Sequence, residues 1–117
     1  MFTGFSHVMM WTKDIDRALK WYTEKLGCQV NFVHLPHYAS LRLEQAGVRI
    51  DLHPSDAQGR DVGFGPMPYF QVKDVDEALK QLAARGIKVG EAQTEGGSHK
   101  FATFWDSEGN ALGIQQA

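Results

Sequence analysis

Polar and apolar positions alternate, switch to helical spacing, alternate again, and then repeat the whole pattern. His7-Val8-Met9-Met10-Trp11 reads as an opening strand. Ile15, Ala18, Leu19, Tyr22 and Leu26 then recur at the spacing of one helix face, and Asp14 stands where an N-cap belongs. Gly27 follows the last helical turn, where a left-handed cap suits glycine. Three short strands are expected next, over about 28–35, 38–45 and 48–53, with Gln45-Ala46-Gly47 turning between the last two.

The second copy is explicit in the residues. Lys13-Asp14-Ile15-Asp16-Arg17-Ala18-Leu19-Lys20 is matched by Lys73-Asp74-Val75-Asp76-Glu77-Ala78-Leu79-Lys80, six of eight positions being identical. Gly27 matches Gly86, and Gly47 matches Gly109. The second helix carries Val75, Ala78, Leu79 and Leu82 on one stripe, with Asp74 and Glu77 at capping-box spacing. Its strands are expected over about 87–93, 99–105 and 110–116. The chain is therefore one α+β domain over 1–117, built of two tandem βαβββ modules at about 4–53 and 67–117. The Pro- and Gly-rich linker, about 54–66, is turn chemistry and is expected at the surface. Each helix can cover only one face of its curved mixed sheet, and the two uncovered faces can form a cup.

Composition narrows the function classes. Of 117 residues, 43% are hydrophobic and 22% charged, which suits a folded globular chain. The net charge of −2 and the lack of a basic stripe argue against a nucleic-acid partner. No apolar run approaches membrane-spanning length, and the start of the chain lacks a basic leader, so no membrane partner is expected and the cytoplasm is the expected location. The single cysteine, Cys28, sits in an apolar strand and reads as a small buried hydrophobe rather than a nucleophile.

Side chains alternate across strands, so the cup lining can be named. His7, Met9 and Trp11 share one face of the first strand, and Arg49, Asp51 and His53 one face of the last strand of that copy. The repeat carries these onto Met67, Tyr69 and Gln71, and onto Ala111, Gly113 and Gln115. Phe101 and Trp105 alternate on another strand and are expected to look inward. Met9, Trp11, Arg49, His53, Met67, Tyr69, Gln71, Phe101 and Trp105 are thus the candidate ligand-binding residues, with His7 and Asp51 the candidate catalytic pair. A carboxylate beside an imidazole can orient it as a general base. His34, His37 and His99 read as rim residues, and Gly96-Gly97 as a flexible loop over the cup mouth.

A strand bearing His, then an Asp-initiated helix ending in Leu26-Gly27, then three strands, all repeated and closing with Asp106-Ser107-Glu108-Gly109-Asn110, resembles the vicinal oxygen chelate superfamily, the glyoxalase, bleomycin-resistance and dioxygenase group. The resemblance spans nearly the whole chain. It implies a small-molecule ligand, a homodimer, and in many members a divalent metal. The metal-ligand positions of the lactoylglutathione lyases fall on His7, Asp51, Met67 and Gly113. Only His7 and Asp51 offer suitable donors there; Met67 is a soft thioether and Gly113 has no side chain. His53 could add a third ligand to His7 and Asp51. The expected function is binding of a small organic molecule in an aromatic cup, with no cofactor. The alternatives are a divalent-metal-dependent lyase, isomerase or dioxygenase, and a metal-free enzyme with His7 as base. Glu44 and Glu108 lie near turns and offer no evident base.

Overall fold

A computed structural model describes residues 1–56 and 58–116; Ala57, within the expected linker, and Ala117 lie outside the described residues. The first module consists of β1 (Val8–Thr12), α1 (Ile15–Glu24), β2 (Gln29–His34), β3 (Tyr38–Leu43) and β4 (Val48–Pro54). The second consists of β5 (Tyr69–Val72), α2 (Val75–Ala84), β6 (Lys88–Val89), β7 (Gln93–Glu95), β8 (His99–Trp105) and β9 (Ala111–Gln116). The first sheet has the order β1-β4-β3-β2 and the second β5-β9-β8-β6, with β7 also paired to β8. In both, the first and last strands run parallel and the remaining pairs antiparallel.

Two expected strands are cut short. The segment expected over 38–45 ends at Leu43, and Glu44–Ala46 forms a single 3-10 turn. The strand expected over 87–93 divides into β6 and β7 around Gly90, whose close approach to the Trp105 ring leaves little room for a side chain. Gly96 and Gly97, both at left-handed φ, tighten a hairpin between β7 and β8 rather than forming a loose loop.

The helix-facing side of each sheet is the core. Met10, Leu41, Ile50 and Leu52 meet Ile15, Ala18, Trp21 and Tyr22 in module one; Ala102, Phe104, Leu112 and Ile114 meet Val75 and Leu82 in module two. These buried residues belong to one cluster, so the modules share a core. Cys28 joins it, and burial pushes its thiol pKa up to about 11, consistent with a packing role. The linker is not wholly a surface feature: Val62 is buried, and the Gly63 N–H donates to Asn110 Oδ1 at 2.8 Å.

Polar contacts fasten the two modules. Asp14 and Asp74 cap their helices through Arg17 N–H and Glu77 N–H, each at 3.1 Å. At α1, Glu108 adds a second clamp from the other module. Its Oε1 accepts the Lys13 and Asp14 amides at 2.9 and 2.8 Å, and its Oε2 accepts Arg17 Nε at 2.8 Å. The Glu108 side chain is fully buried, whereas that of Arg17 is half exposed. Burial raises the Glu108 pKa, but the hydrogen bonds from Arg17, Ser107 and the Asp14 amide outweigh it and hold the carboxyl below its ordinary value. Beside it, the buried Tyr22 hydroxyl donates to Asp106 Oδ2 at 2.6 Å, and Asn110 Nδ2 donates to the Trp11 carbonyl at 2.9 Å.

The repeat counterpart of Glu108, 62 residues earlier, is Ala46, so this clamp exists only once. Removing Glu108 leaves the partly buried Lys13 and Asp14 amides without their acceptor. Glu108→Ala is expected to destabilise the chain by about 3 kcal/mol, whereas Arg17→Ala costs under about 1 kcal/mol. Urea unfolding of both variants checks the ratio; equal losses would assign the clamp to the ion pair rather than to the amides.

Candidate functional site

The uncovered faces of the two sheets carry the candidate residues on two separate walls. On the module-one wall, Asp51 sits in the middle of β4 with Met9 of β1 and Ser40 of β3 as its strand neighbours. It is fully buried. Oδ1 accepts the Ser40 hydroxyl at 2.8 Å and Arg49 Nε at 2.9 Å; Oδ2 accepts Arg49 Nη2 at 2.7 Å and the Tyr38 hydroxyl. Burial by itself would raise the Asp51 pKa. The hydrogen bonds from Arg49, Tyr38 and Ser40, together with the Arg49 charge, outweigh burial and lower it. Asp51 is therefore a fixed anion whose charge Arg49 neutralises.

The proposed catalytic pair is only loosely joined. His7 Nε2 lies 3.7 Å from Asp51 Oδ2, beyond hydrogen-bond length, while His7 Nδ1 pairs with Ser6 Oγ at 2.8 Å. His53 Nδ1 bonds the Pro54 carbonyl at 2.8 Å, and its ring stands edge-on to Trp11 and to Tyr38, at 5.2 and 6.0 Å between centroids. Phe32 stacks on Tyr38 at 6.1 Å, and the Arg49 guanidinium lies over Phe32 at 5.8 Å. This wall is an aromatic surface around an internal ion pair.

These residues do not fit a divalent metal. Asp51 has both oxygens engaged, Met67 is a thioether, and the Gly113 position is filled: a Cβ there would lie 2.5 Å from the Tyr69 ring. Among the described residues, no group of three His, Cys, Asp or Glu side chains is placed to hold an ion, and His7, Asp51 and His53 do not form one.

The other candidates divide between the seam and the second wall. Met67 precedes β5 rather than lying in it, and it lines a cavity of about 260 Å³ with Met9 and Trp11. Gln71 and Tyr69 line a larger seam cavity of about 580 Å³ with Val8, Met10 and Phe70. Phe101 and Tyr69 share a pocket on the module-two wall with Glu95, His99 and Gln115. Trp105 is not part of it. It lies four residues further along β8, about 13 Å away, with Lys88 Nζ 5.0 Å from its ring centroid.

Sequence reasoning missed Phe32, Tyr38 and Ser40. Strand alternation would have found Tyr38 and Ser40, since Ser40 is directly opposite Asp51. Phe32 is hidden by an irregularity between Val30 and Phe32: Val30 pairs with the core residue Leu41, yet Phe32 pairs with Ser40. Glu108, passed over as a turn residue, is the inter-module clamp and not a base.

The Tyr69 ring and the missing Cβ at Gly113 make one packing unit. Gly113→Ala is expected to cost about 1–3 kcal/mol by overpacking. The same substitution in a Tyr69→Ala background is expected to be nearly neutral. Thermal or denaturant unfolding of the four-member cycle reads the coupling; additive effects would show that the ring moves aside freely.

A glyoxalase/bleomycin resistance protein/dioxygenase superfamily model matches residues 4–114. No curated protein matches significantly. Among solved structures, a superfamily member from Sphaerobacter thermophilus aligns at 20% identity with TM-score 0.81 over 100% of both chains. The fosfomycin resistance protein FosX of Listeria monocytogenes, solved with Mn(II) and a dihydroxypropylphosphonic acid, aligns at 17% identity with TM-score 0.75, over 98% of this chain and 90% of its own. A lactoylglutathione lyase from Agrobacterium tumefaciens aligns at 16% and 0.75, over 99% and 95%. At these identities the structures support the shared fold alone, while the family model covers nearly the whole length. The chain belongs to the glyoxalase/bleomycin resistance protein/dioxygenase superfamily.

Proposed function

We propose that this protein binds a small, flat, largely apolar organic molecule in its cup without a metal holding the ligand. The observation that carries this reading is Asp51. Its carboxylate is buried and already served by Arg49, Tyr38 and Ser40, so a metal would have to displace an internal cation to reach it. The same contacts hold Arg49 and Tyr38 in place. With Phe32, His53 and Trp11 they offer rigid aromatic area to a ligand. Mn(II) in FosX supports the alternative of a metal-dependent lyase, isomerase or dioxygenase, but here that reading requires Arg49 to release Asp51.

Titrating planar aromatic compounds against tryptophan fluorescence, before and after chelation, separates the two. Binding is expected to be unchanged by chelator and about ten-fold weaker in Trp11→Ala. Binding or turnover that appears only with added Mn, Ni or Zn would overturn the metal-free reading.

The cup is read as completed by a second copy of the chain. Met9, Phe32 and Tyr69 stand on the two walls at 41–47% exposure, a large apolar area for one chain to leave open. A two-fold dimer would set each module-one wall against its partner's module-two wall. Sedimentation equilibrium is expected to give two chains per particle, and Phe32→Glu to give one. A wild-type monomer at working concentration would sink this arrangement.

A further inference from the structure

The module-two wall has a chemistry of its own. Its pocket, about 250 Å³, is lined by Tyr69, Glu95, His99, Phe101 and Gln115. Strand pairing explains why these side chains converge. Glu95 of β7 is directly opposite His99 of β8, and Phe101 is directly opposite Gln115 of β9. His99 and Phe101 are two apart on β8, so their side chains share a face, and the rings stack at 5.5 Å and 24°. Tyr69 forms a further side, its ring laid across the backbone of Gly113.

The charge pattern is one-sided. Among the described residues, Glu95 makes no salt bridge with any Lys, Arg or His. Lys100 alternates to the opposite face of β8 and is engaged by Asp76. Lys88 stands over Trp105, six residues along β8 from His99 and so about 20 Å away. The pocket thus combines one carboxylate, a side-chain amide, an imidazole and two aromatic rings, with no Lys or Arg among its lining residues. Ring faces carry negative quadrupole density and attract cations, and a carboxylate adds directional charge. A metal ion would need several hard donors, whereas an alkylammonium group needs only this mixture.

We propose that this pocket takes a small organic ammonium ion, held by Glu95 and by the ring faces of Tyr69 and Phe101. The inference rests on the cup being a binding site but not on the module-one wall. It assigns the two walls different tasks: module one presents a charge-neutral aromatic surface, and module two selects for positive charge.

The test uses an isosteric pair. Choline and its uncharged carbon analogue, dimethylbutanol, have nearly the same shape, so their difference reports charge. By titration calorimetry, choline is expected to bind about ten-fold tighter than the neutral analogue. Glu95→Gln is expected to remove most of that preference, and Tyr69→Leu to weaken choline more than the analogue. Glu95 is exposed, so its substitution leaves the fold in place. Equal binding of the two compounds would overturn the proposal while leaving the cup as a site for neutral ligands. Binding of neither, with planar aromatics still bound, would also overturn it and confine recognition to module one. Binding of neither, together with loss of the aromatic ligands, would remove the cup reading as well.

Discussion

Glu108 fixes how the two halves of the molecule meet. Each sheet is complete within its own module, so hydrogen-bond ladders alone do not set the angle between modules. A carboxylate buried against the start of α1 does, because it must stay where two amides and a guanidinium can reach it. The neighbouring Tyr22–Asp106 and Asn110–Trp11 contacts share the turn that carries it. Among the described residues the matching turn has no such clamp: Ala46 stands there, and the seam cavity of about 580 Å³ opens beside it. The duplicated scaffold is therefore clamped by a buried carboxylate at one turn and bordered by a cavity at the matching turn.

That orientation decides what each wall can offer. The module-one wall concentrates polar groups around Asp51 and satisfies them internally, so its charges cancel and its aromatic rings dominate. The module-two wall has no counterpart to this network, because Gly113 stands where Asp51 does. Its polar groups come instead from the β7–β8 hairpin, at the rim, and from Gln115 of β9. Two copies of one supersecondary unit carry different side-chain surfaces on the same strand order.

Much of this was legible in the sequence. The paired helix segments announced the repeat, and alternation in Val48–Pro54 placed Ile50 and Leu52 inward with Asp51 opposite. What escaped were features set by contacts distant in sequence. Glu108 reads as a turn residue until α1 is folded against it, across more than ninety positions. Phe32 reads as being on the same face as Val30 until the irregularity between them is known. His7 and Met67 both read as strand residues, but β1 begins at Val8 and β5 only at Tyr69. Val62 reads as linker, yet it is held in by a turn that closes on Gly63. Pattern reveals periodicity; it does not reveal which long-range partner fills a given space.

The Tyr69 ring over Gly113 also bears on chelation. Placing a metal-binding side chain at position 113 demands that Tyr69 shrink or swing away at the same time, since no Cβ fits beneath the ring. Either change alone loses packing and gains no ligand. A donor at position 113 and the Tyr69 ring over the glycine therefore compete for the same space. Side-chain chelation at this point of the wall and the aromatic packing that occupies it are alternatives, and this chain holds the second.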